Sequence, residues 1–171
     1  MKPRITPLLL CVCALSATLS AAAIVPRPMT RLRPATSSAA ALIERAMRDS
    51  PTVRRLAGEI AASDLIVYVE LDFPEGPARA TTELVTVTAH DRFLRITLDR
   101  LVPAIDQIAL LAHEMQHAAE IAREPSVRDS ASLRALYARI GIDPAERRHF
   151  ETMEARLTER AARRESFRRP R

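Results

Sequence analysis

The sequence predicts an α+β fold, in which a small, mostly antiparallel sheet packs on a buried central helix, with additional N-terminal and C-terminal helices. Three observations support this fold class. Helical spacing of apolar residues occurs on both sides of a β-branched middle section over residues 65–98. A segment that is apolar nearly all round follows the strands. The chain has 171 residues and is 47% hydrophobic, which suits one domain with a single core.

The first 23 residues have the features of a secretory signal peptide. A basic start precedes an apolar stretch over residues 8–19, and small residues at 20–23 provide a cleavage site. The apolar stretch is shorter than the roughly 20 residues that span a bilayer, so we expect a secreted or periplasmic protein with no stable membrane insertion after cleavage. Cys11 and Cys13 both lie in this segment. The mature chain would therefore bind a metal only through His, Asp or Glu.

Residues 24–37 contain three prolines and little apolar periodicity, which is typical of a flexible leader. A single domain is then expected over residues 38–171. Its first helix would begin at Ser38, and the Ser50-Pro51 pair would end it. Ser50 is a suitable cap and Pro51 a suitable first residue for a second helix, which would run to about residue 62.

The middle section predicts three strands separated by turns. Alternating or β-branched apolar residues occupy residues 65–71, 82–88 and 93–98. A Pro-Glu-Gly-Pro turn at residues 74–77 separates the first two strands. His90 lies in the short connection between the last two, where a solvated turn residue is expected.

Three further helices are expected after the strands. Pro103 would open a long helix reaching about Arg123, and a second helix would cover residues 131–140 before Gly141. Pro144 would begin the last helix. That helix would pass through Phe150, Met153 and Leu157, which would pack on the core, into an Arg-rich end.

The C-terminal end is basic, with seven arginines against Glu159 and Glu165 over residues 156–171. Such a tail can bind anionic surfaces, and salt-dependent binding lost on its deletion would support that interpretation. A solvated helix end explains it as well, because arginine is favoured near a helix C-terminus. Aromatic residues make up only 4% of the chain and Trp is absent, which argues against a nucleic-acid platform.

The long buried helix contains the strongest chemical signal. His113 and His117 are four residues apart, so their imidazoles project from one helix face and can reach one ion. Glu114 follows the first histidine and is placed to hold a water molecule beside that ion. Zinc lowers the pKa of bound water to about 7, and a neighbouring carboxylate can then act as general base. Three ionisable side chains in an apolar helix are otherwise expensive to bury.

The segment Leu110-Leu111-Ala112-His113-Glu114-Met115-Gln116-His117-Ala118 resembles the active-site helix of the HExxH zinc metallopeptidases, the zincins. It is most similar to small, secreted, uncharacterised bacterial members, over roughly residues 98–157. The resemblance implies one zinc ion per chain, a peptide or protein substrate, and peptide-bond hydrolysis with Glu114 as general base. It also implies that the strand at 93–98 borders the cleft and pairs with extended substrate.

The third zinc ligand divides the zincins into branches. The branch with a third histidine needs Gly at position 120 and His at position 123, where this chain has Glu120 and Arg123. In the other branch the ligand is a downstream glutamate, but the best-known spacing leads to Tyr137. Glu120 lies seven residues after His113, about 10 Å along the helix axis, which is too far for both to bind one ion directly. Glu120 is therefore expected to be a supporting or surface acid.

Glu151 is the preferred third ligand, because it opens an amphipathic segment that can pack on the core. Glu154, one turn further, and His149 are the alternatives. Tyr137 and His149 are also possible donors to the oxyanion of the reaction. A different reading remains open, in which the chain is a non-catalytic, zinc-stabilised secreted domain, because zincins usually use more residues to wall the cleft.

Overall fold

The computed structural model describes residues 31–142 and 150–167. The signal segment 1–23, residues 24–30, Pro144 and His149 lie outside the described residues, as does the chain end from residue 168. The elements are β1 (Leu32–Pro34), α1 (Ser37–Asp49), α2 (Pro51–Ala61), β2 (Leu65–Asp72), β3 (Ala80–Val87), β4 (Arg92–Asp99), α3 (Ala104–Ala122), α4 (Ser130–Ile140) and α5 (Met153–Phe167). The α+β class is confirmed.

The sheet is mixed, so the expectation of a mostly antiparallel sheet is wrong. Its strand order is β1-β2-β4-β3, and β4 lies between β2 and β3. The pairs β1/β2 and β2/β4 are parallel, and only β3/β4 is antiparallel. Helices α1 and α2 form the long crossover that a parallel β1/β2 pair requires. The chain after β2 passes to the far edge of the sheet before β4 returns to pair with β2.

Part of the segment expected to be a flexible leader belongs to the fold. Leu32 is 1% exposed and pairs with Val67, so β1 forms an edge of the sheet. Thr36 caps α1 by accepting a hydrogen bond from the Ala39 amide. A three-residue strand is too short to show alternation of apolar and polar residues. Pro34 also argues against a strand in the sequence, although proline is tolerated on an edge strand.

The expected break between the first two helices is confirmed. Ser50 caps α2 through a 3.1 Å hydrogen bond from the Val53 amide, and Pro51 occupies the first turn. The Ser50 hydroxyl also donates to the Glu165 carboxylate at 2.5 Å. Because Glu165 belongs to α5, this contact fastens the last helix to the first pair of helices.

Helix α3 occupies the centre of the domain, in contact with α1, α2, α5 and three strands of the sheet. Most of its residues are buried, including His117, Glu114 and Glu120. Pro103 precedes it, as expected from the sequence. The helix therefore holds its polar side chains inside the protein. No helix among the described residues has both the length and the apolarity needed to cross a bilayer.

Helix α5 differs from its prediction in its start and in its buried face. It begins at Met153, so Phe150 and Glu151 precede the helix. Met153 is 57% exposed and Leu157 is 53% exposed, and neither belongs to the core. The buried face consists of Ala155, Thr158 and Ala162. These small side chains allow α5 to approach α3 closely, and the larger apolar residues consequently face outward.

Candidate metal centre

Helix α3 brings two histidine nitrogens close enough to bind one ion. The Nε2 atoms of His113 and His117 are 3.2 Å apart, and their rings meet edge to face. The four-residue spacing causes this convergence, because it returns to the same helix face after one turn. Two unprotonated nitrogens at this separation would repel each other through their lone pairs. A proton on one nitrogen, or a cation bound by both, removes this repulsion.

Glu151 brings a carboxylate to the two histidines, as the sequence interpretation expected. Its Oε1 atom is 3.7 Å from His113 Nε2, and ligand atoms from His113, His117 and Glu151 lie within 4.8 Å of one another. These three residues could hold a metal ion. The Thr152 amide donates to Glu151 Oε1 at 3.0 Å, and Arg156 Nε lies 3.4 Å from Glu151 Oε2.

The other candidate ligands are placed differently. Glu154 Oε2 accepts hydrogen bonds from Gln116 at 2.8 Å and Arg123 at 3.1 Å, and its side chain is 64% exposed. It is not part of the group formed by His113, His117 and Glu151. His149, also considered as an oxyanion donor, lies outside the described residues.

Glu120 contacts the outer nitrogen of His117. Glu120 Oε2 is 2.9 Å from His117 Nδ1, and Glu120 Oε1 accepts a 2.7 Å hydrogen bond from the Thr152 hydroxyl. The carboxylate is buried, so its natural partner is an Nδ1–H, which leaves the His117 Nε2 lone pair free for a cation. Burial lowers the pKa of His117, but the Glu120 hydrogen bond and the nearby carboxylates outweigh it and raise that pKa above 6.5.

Glu159 is the counterpart of Glu120 at His113, and the sequence interpretation missed it. Its Oε2 atom is 3.3 Å from His113 Nδ1, but the two are not aligned as a hydrogen bond, and this buried nitrogen has no other partner among residues 31–142 and 150–167. Arg163 holds Glu159 at 3.0 Å and also pairs with Asp106. Glu159 lies on α5, so no spacing within α3 could have indicated it.

Glu114 lies at the side of the two histidines, where a general base is expected. It is 5% exposed, and its Oε2 atom accepts a 2.7 Å hydrogen bond from the Thr82 hydroxyl of β3. Together with His113 and His117 it lines an open cleft of about 300 Å³. The Glu114 Oε1 atom has no hydrogen-bond partner among the described residues.

Tyr137 forms part of the cleft wall. Its ring stacks on Phe150 with centroids 4.4 Å apart, and its hydroxyl donates to the His117 carbonyl at 3.4 Å. Burial raises the pKa of Tyr137 well above 10.0, and the charges of Glu120 and Glu114 add to this effect. The hydroxyl is therefore a hydrogen-bond donor at any ordinary pH, but here it is directed at the helix backbone.

The strand at the cleft is β3, not the strand expected from the resemblance. Residues Ala80, Thr81 and Thr82 of β3 line the cleft, and β3 is the edge strand opposite β1. The strand at 93–98 is the core of β4, which pairs with β2 on one side and β3 on the other. Its backbone groups are consequently used inside the sheet and cannot receive an extended substrate.

The donor set of the site suits a borderline transition metal. Two imidazole nitrogens and one carboxylate oxygen are typical zinc ligands, and a hard ion such as magnesium prefers oxygen alone. Comparison with protein-family models, with curated proteins and with solved structures finds no match to this chain.

Proposed function

We propose that this protein is a zinc-dependent peptidase. The observation that carries the proposal is the convergence of His113, His117 and Glu151 beside Glu114, on the wall of an open cleft. Three protein ligands leave one coordination position available, which is typical of catalytic zinc sites; structural sites usually have four.

The metal and Glu114 would divide the chemistry between them. A bound zinc ion supplies Lewis-acid polarisation of the scissile carbonyl and lowers the pKa of water to about 7. Glu114 would accept the proton of the attacking water and donate it to the leaving amine. Because Thr82 occupies Oε2, the atom that would take the proton is Oε1. Tyr137 would serve as oxyanion donor only after its hydroxyl leaves the His117 carbonyl.

An extended peptide would bind by adding a strand to β3. In the part of the chain that the structure describes, no strand pairs with the outer side of β3, and residues 80–82 of this strand line the cleft beside Glu114. A substrate that is N-methylated at a backbone amide that pairs with β3 should then have a lower kcat/KM. N-methylation at the alternate amides, which point away from β3, should have little effect. Uniform tolerance of N-methylation would contradict strand addition.

The site of action would be outside the cytoplasm, in the periplasm or the medium. This part of the proposal depends on the signal-like residues 1–23 of the sequence. N-terminal sequencing of the protein from an expressing bacterial cell should give a chain that begins near residue 24. Recovery of the intact N-terminus from the cytoplasm alone would contradict export.

The central test combines metal analysis with cleavage of a broad peptide library. We expect about one zinc per chain after gentle purification, and hydrolysis that Glu114→Gln reduces by about 10²–10⁴-fold without loss of zinc. Glu44→Gln, on the exposed face of α1, is the matched control and should keep full activity.

Two outcomes would reject the peptidase. If the purified protein contains no zinc and takes up none, the proposed metal centre is wrong. Zinc-loaded protein that cleaves nothing, and in which Glu114→Gln changes nothing, would instead be a zinc-stabilised domain without catalytic activity.

A further inference from the structure

One arginine lines the cleft together with the candidate catalytic groups. Arg156 lies in the first turn of α5, and its side chain is 49% exposed. The same cleft is lined by His113, Glu114 and Glu151. A substrate bound over Glu114 therefore has a guanidinium within the same cavity.

The hydrogen-bonding capacity of Arg156 is largely unused. Its Nε atom is 3.4 Å from Glu151 Oε2, and its side chain makes no hydrogen bond with the described residues. Arg123 and Arg163 are different, because each bridges two acidic side chains. The planar fork of an arginine matches a carboxylate with two parallel hydrogen bonds, and Arg156 has these donors available.

The charge of the cleft favours an anionic group at this position. Glu114 and Glu151 are the carboxylates that line the cleft, and Arg156 is the arginine there. A divalent ion offsets the two carboxylates, so the guanidinium is left as the net positive charge of the described lining residues. A carboxylate of the substrate would be attracted to Arg156, whereas elsewhere in the cleft it would face Glu114.

We propose that Arg156 makes the cleft selective for peptides with a carboxylate near the scissile bond. The carboxylate can come from an Asp or Glu side chain or from a free C-terminus, because both present the same two oxygens. This inference rests on the proposed peptidase, since it names the substrate class of the same site. If Arg156 served only to hold Glu151, its removal would weaken metal binding and affect all peptides equally.

Peptide binding tests the inference without requiring turnover. Zinc-loaded Glu114→Gln protein would be titrated with labelled hexapeptides that differ only by Glu against Gln at each position in turn. A second pair would differ only by a free or an amidated C-terminus. We expect one acidic position, or the free C-terminus, to tighten binding by about three- to thirtyfold.

The preference for acidic peptides should disappear in Arg156→Gln and persist in part in Arg156→Lys. In Arg156→Glu, peptides that contain Lys should bind more tightly than those that contain Glu. Arg160→Gln is the matched control, because it removes the same charge from the exposed face of α5 one turn away and does not line the cleft. It should keep the preference in full. Zinc content and circular dichroism of each variant confirm that the site is intact.

The inference is overturned if acidic and amide peptides bind equally, if the preference survives Arg156→Gln, or if that variant loses zinc and weakens every peptide to the same extent. Its failure is separable from that of the peptidase. Cleavage by the unmodified active site without any acidic preference refutes only the role of Arg156. An Arg156-dependent binding preference without any cleavage refutes only the peptidase.

Discussion

Each candidate metal ligand lies beside a second residue that can orient it, although only His117 and Glu151 are hydrogen-bonded to theirs. His117 contacts Glu120, His113 lies beside Glu159, and the two oxygens of Glu151 contact the Thr152 amide and Arg156. A carboxylate that accepts from the outer nitrogen of an imidazole fixes the orientation of the ring and raises its basicity, and Glu120 can do this for His117 before any ion binds. We therefore expect residues outside the helix motif to affect how tightly the site would bind a metal.

At the residue scale, Glu120→Gln should weaken zinc binding by about 10- to 100-fold. The amide oxygen can still accept from His117 Nδ1, but the negative charge that strengthens the imidazole as a ligand is gone. Competition with a chelator of known affinity measures the change. Glu124→Gln is the control, because Glu124 follows α3 on the surface and pairs with Arg139. Equal zinc affinity in the two variants would show that Glu120 does not support the site.

At the scale of elements, one buried arginine fastens the end of α3 to the sheet. Arg92 is 0% exposed and donates to the carbonyls of Ile121 at 2.9 Å, Glu124 at 2.9 Å and Val127 at 3.3 Å. Its other nitrogens bind Asp64 at 2.6 and 2.9 Å. The guanidinium therefore adds a donor to carbonyls at and just beyond the C-terminal end of α3, and joins β4 to Asp64, the residue before β2.

Asp64→Asn should lower the free energy of unfolding by about 1–3 kcal/mol. Removing one partner leaves a buried guanidinium without its counter-charge, and the partial exposure of Asp64, 31%, keeps the loss below that of a fully buried pair. Urea denaturation measures the difference. Asp49→Asn breaks an exposed pair with Arg48 and should change stability by less than about 0.5 kcal/mol. Equal effects of the two substitutions would contradict the role given to Arg92.

The same pair predicts a dependence on pH. The hydrogen bond from Arg92 lowers the pKa of Asp64 below 3.8, although burial opposes it. A carboxyl group with a lowered pKa in the folded state contributes stability above its unfolded pKa, and loses it as the pH falls through the folded value. Stability should therefore fall below about pH 4 more steeply in the wild type than in Asp64→Asn. Parallel acid limbs for the two proteins would refute this assignment.

At the scale of the whole molecule, the candidate metal site connects segments that are distant in the sequence. His113 and His117 come from the central helix, and Glu151 comes from the segment that leads into the last helix. A bound ion would hold these segments together in the folded state only. Metal binding should consequently raise the stability of the entire domain and not only the order of the cleft.

Zinc at a thousand times its dissociation constant should add about 4 kcal/mol to the free energy of unfolding. Magnesium should add almost nothing, because it binds imidazole poorly. Thermal or urea denaturation with zinc, with magnesium and with a chelator measures the effect. His117→Ala should remove the response to zinc, and a response that survives this substitution would place the metal elsewhere.

The sequence predicted the features that depend on neighbouring residues. Ser50 and Pro51 marked a helix boundary because capping involves only the next few residues, and the structure confirms it. His113 and His117 were paired from their spacing alone, because a helix fixes where a side chain lies one turn later. The amphipathic segment after Phe150 indicates Glu151 as the third ligand, and the structure brings its carboxylate to the two histidines.

Tertiary packing decided the features that depend on distant segments. The place of β4 inside the sheet and the burial of β1 have no local signature, because they depend on which strands pair. The approach of Glu159 to His113 and the place of Arg156 in the cleft have none either, because they depend on how the last helix packs beside α3. The sequence by itself determined a helix that presents two imidazoles and a carboxylate. Only the folded chain, by burying small residues of α5 against that helix, determined which other groups reach them.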